Sequence, residues 1–145
     1  IAECRNAFLI RDPVRVLASY VKSRETVTLA DIGVVQQSEL FDAVADRLGH
    51  APPVIDAADV LADPARTLGA LCAALGIDFD PAMLSWPAGK RASDGVWAPA
   101  WYAGVEGSTG FAAPGGDEAP VLPAHLAGIA AEAEGHYRRL AAFRL

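Results

Sequence analysis

Twice in about seventy residues the chain runs from a short apolar stretch into an aspartate–proline pair and then into an amphipathic repeat. The first instance is Ala7-Phe8-Leu9-Ile10, Arg11, Asp12-Pro13, followed by Val14, Leu17, Ala18 and Val21 at helical spacing to about Arg24. Four apolar residues without alternation read as a strand buried on both faces of a parallel sheet. Asp12 can accept from the free amides of the first helical turn, and Pro13 fits the N1 position, where no amide partner is needed. The second instance is Val54-Ile55, then Asp63-Pro64, with Leu68, Leu71, Cys72 and Leu75 on one helical face and Gly76 as the stop. Two strand-then-helix units predict an α/β fold. They also place Arg11 at the carboxyl end of a strand, the edge where open α/β sheets bind ligands.

Between the units, Ser38 can cap a helix carrying Leu40, Phe41, Val44, Ala45 and Leu48 and ending at Gly49, while Leu29 and Ile32 can plug a surface groove. Beyond them, residues 77–122 hold five prolines, seven glycines and all three tryptophans (86, 97 and 101). So much turn chemistry and aromatic surface predicts a long ordered loop region, and such loops usually carry function. Gly115-Gly116-Asp117-Glu118 reads as its flexible spot. A last helix from about Pro123 sets Leu126, Ile129, Ala130, Ala133, Tyr137 and Leu140 on one side.

At 145 residues the chain fits one domain, and with 52% apolar and 21% charged residues it is too greasy for disorder. No apolar run is long enough to span a bilayer, and the first residues do not read as a signal peptide. The formal charge is −6, which argues against a nucleic-acid binder. The first 24 residues nevertheless carry +3 (Arg5, Arg11, Arg15, Lys22 and Arg24 against Glu3 and Asp12), and the rest −9. A basic island in an acidic chain suits one local anion. Cys4 and Cys72 make no disulfide framework, with Cys72 expected buried and reduced in a cytoplasmic setting, and His50, His125 and His136 lack metal-site spacing. The one methionine is Met83, so the chain starts without an initiator, which points to processing, a leader or a fragment.

Two constellations can hold an anion. The Arg11 guanidinium fits phosphate bidentately, and Ser19, two turns into the helix on the side of Asp12, Arg15 and Val16, can approach the same group. The bland alternative pairs Arg11 with a carboxylate at the sheet edge. Lys90-Arg91-Ala92-Ser93-Asp94-Gly95-Val96-Trp97 joins two cations, small residues and an aromatic wall that could close on an anion, but on its residues alone it reads first as a basic turn with a structural tryptophan. No Walker loop, nucleophile elbow or HExxH motif occurs.

Phe8-Leu9-Ile10-Arg11-Asp12-Pro13 with Ser19-Tyr20, then Val54 to Val60 with Asp63-Pro64, then the Lys90–Trp97 loop, resemble the sulfotransferase family in that order. Those enzymes use 3'-phosphoadenosine 5'-phosphosulfate (PAPS). The phrases Met83 to Gly89 and Asp94 to Pro99 resemble bacterial sulfotransferase-like proteins. The resemblance implies a P-loop-NTPase-like parallel sheet flanked by helices. Its N-terminal strand and phosphate loop, with the catalytic base, lie upstream, so residues 1–145 match the C-terminal portion of a single domain. It further implies that Arg11, Ser19, Lys90, Arg91, Gly95 and Trp97 bind PAPS or adenosine 3',5'-bisphosphate without a metal, and that the full-length parent transfers a sulfuryl group to a hydroxyl or amine of a small acceptor. The acceptor pocket is expected to draw on Trp86, Trp101 and Tyr102, and the fragment to need the upstream part of its domain. Ala92 and Ala98 depart from the family's usual glycine and lysine. The alternatives are an inactive binding protein with the same fold and a P-loop small-molecule kinase.

Overall fold

The computed structural model describes residues 4–96, 98–112 and 120–145. Its centre is a two-stranded parallel sheet. Strand β1 (Phe8–Ile10) pairs with β2 (Val54–Asp56) in the register Phe8–Val54, Leu9–Ile55, Ile10–Asp56. Helices α1 (Pro13–Tyr20) and α2 (Val34–Leu48) connect the strands. After β2 come α3 (Ala57–Ala62) and α4 (Pro64–Leu75), then the short α5 (Ala98–Trp101) and α6 (Ala103–Glu106), and finally α7 (Ala127–Ala141). A small parallel sheet flanked by helices is the α/β arrangement that the two strand-then-helix units predict.

Both aspartate–proline devices work as chemistry requires. Asp12 Oδ1 accepts from the Val14 and Arg15 amides at 2.7 and 3.3 Å, and Asp63 Oδ1 from the Arg66 amide at 3.0 Å. Gly76 closes α4 in the left-handed conformation (φ 62°), which glycine adopts without a Cβ clash.

Helix α2 differs from expectation. It begins at Val34, behind Gly33 in a left-handed conformation, so Ser38 is buried inside the helix rather than capping it. There the Ser38 hydroxyl lies 3.0 Å from His136 Nδ1 on α7. Leu40 and Leu48 face solvent; Phe41 and Val44 carry the packing.

Phe8 and Ile10 bury against Phe41, Val44, Val54 and Leu140, with the Phe8 and Phe41 rings edge to face at 5.4 Å. A second cluster seats Leu17 of α1 on Val27 and Leu126, with Ile32 packed beside it. β1 is therefore buried on one face only. Side chains alternate along a strand, and Leu9, pointing the other way, is 57% exposed. The Phe8 amide donates to Pro53 O at 2.9 Å, so the Leu9 backbone faces the opposite edge, where Gln37 Nε2 donates to its carbonyl at 2.8 Å. On the far side of β2, Arg144 forms a parallel bridge with Val54 and the Leu145 amide donates to Val54 O at 3.1 Å.

Candidate functional site

Arg11 follows the last residue of β1 and precedes the cap of α1, so a strand end and a helix start fix its backbone from both sides. Its side chain is exposed and makes no hydrogen bond or ion pair among the described residues. The carboxylate partner of the bland alternative is thus absent among them. Arg11 lines two cavities, both shared with Leu9. One, of about 200 Å³, reaches Gln37 and the start of α2 at Gly33 and Val34. The other is an open apolar groove of about 600 Å³ between Ile55, Val60, Leu68 and Phe111. The Val14 and Arg15 amides, one arm of a helix-terminal anion site, are already taken by Asp12.

Ser19 is exposed in the last turn of α1 and lines neither cavity. Its Cα lies about 9 Å along the helix from Pro13, and its hydroxyl has no hydrogen bond among the described residues. Lys90 and Arg91 are also exposed and line neither cavity. Asp94 organises their loop: the Arg91 amide donates to Asp94 Oδ2 at 2.8 Å, and the Asp94 amide returns to Arg91 O at 3.0 Å. The Arg91 guanidinium donates to Pro87 O at 3.3 Å. Gly95 accepts from the Ala98 amide at the start of α5, and its surroundings leave space for a side chain. The position in this loop that demands glycine is Gly89, at φ 104°. Trp97, the Trp101 side chain and the Gly115–Glu118 run lie outside the described residues.

Trp86, expected in the acceptor pocket, lines neither cavity beside Arg11. Its indole Nε1 donates to Ser108 Oγ at 3.1 Å, its amide donates to Thr109 O at 3.0 Å, and its ring meets Phe111 edge-on at 5.3 Å. It braces Phe111, and Phe111 is the aromatic that reaches the groove beside Arg11.

One cluster escapes the sequence reading. Asp56, 1% exposed at the end of β2, accepts from the Ala58 amide at 2.8 Å and from the Tyr137 hydroxyl at 2.6 Å. Arg144 Nη1 lies 3.7 Å from Asp56 Oδ2 and 3.5 Å from Asp59 Oδ2. Burial, and then the bond to Asp56, push the Tyr137 hydroxyl well above its ordinary pKa. A carboxylate closing an apolar strand run was the available signal; its partner lies 81 residues away.

Among the described residues no group of three His, Cys, Asp or Glu side chains is placed to hold a metal, and no helix is long and apolar enough to cross a membrane. The chain is 39% identical over 110 residues to branched-chain-amino-acid aminotransferase-like protein 1 of Arabidopsis thaliana and 35% identical over 114 residues to branched-chain-amino-acid aminotransferase-like protein 2 of the same plant. These matches cover 76% and 79% of the chain but 20% of each relative, so the chain spans about a fifth of their length. No solved structure matches. The family model described as a sulfotransferase domain matches residues 2–137, and with that the chain belongs to the sulfotransferase-domain family.

Proposed function

We propose that the full-length protein transfers a sulfuryl group from PAPS to a hydroxyl or amine of a small acceptor, and that this chain supplies the grip on the 3'-phosphate. The observation that carries the reading is Arg11: an exposed guanidinium at a strand's carboxyl end with no partner among the described residues. Such a fork fits a phosphate bidentately.

The donor set fits an adenosine 3',5'-bisphosphate. In this reading Arg11 holds two phosphate oxygens, Ser19 gives a hydroxyl from α1, and Lys90 and Arg91 add charge from a loop that Asp94 keeps folded. Gly95 and Trp97 complete that loop in this reading, Trp97 as an aromatic wall. The nucleotide, when bound, brings the activated sulfuryl group. What these residues contribute is position and neutralised charge, the main needs of an in-line transfer. The loop for the 5'-phosphosulfate and the base that takes the acceptor's proton belong upstream of Ile1. "Aminotransferase-like" is said of relatives about five times longer than the matched segment, and nothing at Arg11 favours that chemistry.

Calorimetry of the full-length polypeptide with adenosine 3',5'-bisphosphate tests the reading. Arg11→Ala is expected to weaken binding by about 1.5–3 kcal/mol, the scale of a charged hydrogen bond, and to change adenosine 5'-monophosphate binding far less. Equal affinity in the variant and the parent refutes the assignment of Arg11.

A further inference from the structure

We infer that Tyr137 is a positioning residue for the anion site: from α7 it clamps the end of β2, against which the strand that presents Arg11 is paired. The inference rests on Arg11 as the phosphate ligand. Arg11 sits between Ile10, paired in register with Asp56, and Asp12, the cap of α1. The Tyr137 hydroxyl donates to Asp56 Oδ2 at 2.6 Å. One phenol on α7 thus holds the carboxylate that closes β2, the residue paired with Ile10. That carboxylate also caps the next helix through Ala58, as Asp12 does through Val14.

β1 has three residues, and its outer edge is met by the Gln37 side chain. The arginine's backbone inherits whatever play the strand ends have, and about 1 Å of misplacement is enough to weaken a charged, directional contact. Tyr137 lines neither cavity that Arg11 lines, so its action passes through Asp56 and the strand pairing, not through the ligand.

The test uses the full-length polypeptide with adenosine 3',5'-bisphosphate as probe, measuring dissociation constant and melting temperature together. Tyr137→Phe removes the hydroxyl and keeps the ring. Ser38→Ala is the control, since it cuts another link of α7, the contact to His136, away from the strand ends. Tyr137→Phe is expected to weaken nucleotide binding roughly five-fold, within the usual range of coupling energies, while Ser38→Ala stays within about two-fold of the parent at a comparable melting temperature. An unchanged dissociation constant in Tyr137→Phe overturns the inference, as does equal weakening in both variants, which would mark general loosening of α7. If the parent itself fails to bind the probe, the phosphate reading falls instead, so the two failures are distinguishable.

Discussion

Tyr137 stores stability that depends on pH with a definite sign. Its hydroxyl is raised above the ordinary value of 10.0 because burial and the neighbouring Asp56 carboxylate disfavour the phenolate. The folded state therefore keeps a proton that the unfolded chain releases above about pH 10, and stability falls as pH rises past that point. The contribution is complete below pH 10. The melting-temperature difference between the parent and Tyr137→Phe should hold steady from about pH 7 to 9 and shrink at higher pH; a gap that stays constant through about pH 11 contradicts the role given to this hydroxyl. At this scale the sequence is half legible. Arg11 announces its place through the strand before it and the Asp-Pro after it. The partnership of Asp56 with Tyr137 depends on how α7 lies across the sheet, and local patterning carries no information about that.

Helix ends are where local chemistry speaks most plainly. α1 and α4 begin at their Asp-Pro pairs and α4 ends at Gly76, because capping involves only the nearest few residues. The start of α2 is harder to read: a left-handed glycine at position 33 starts the helix without a side-chain cap, and Ser38 turns to His136 on another element. α3 has six residues, too few for periodicity to show. Two glycine substitutions separate these effects. Gly76→Ala forces a side chain into a left-handed conformation (φ 62°) beside the Arg5 guanidinium, which donates to the Leu75 and Gly76 carbonyls. It is expected to cost about 1–2 kcal/mol. Gly135→Ala, exposed within α7 with open space at its Cβ, should instead gain about 0.5–1 kcal/mol. Urea denaturation of both variants checks the pair, and a shared sign would show that conformation is not what decides.

Across the whole molecule the sheet is covered unevenly. α2 and α7 close the face of Phe8 and Ile10, while the face of Leu9 opens onto the groove. Leu9→Thr is accordingly expected to change stability by no more than about 0.5 kcal/mol, whereas Ile10→Thr, which puts a hydroxyl into the core, should cost about 2 kcal/mol or more. Thermal denaturation distinguishes them, and equal losses would mean the Leu9 face is covered in solution. An unbroken apolar run hid this asymmetry, since four such residues in a row look alike whichever faces are later covered. The candidate site is legible to a similar extent. The place of Arg11 at the strand end can be read from the residues around it; that Phe111, braced by Trp86, lines the groove beside Arg11 follows only from the contacts of the 85–111 segment. The bridge from Arg144 and Leu145 to Val54 has a practical corollary. Losing that edge contact would unhem the sheet on its flank and strip the nearby cation from a carboxylate shut off from water, so a change at these two positions is felt in the middle of the molecule.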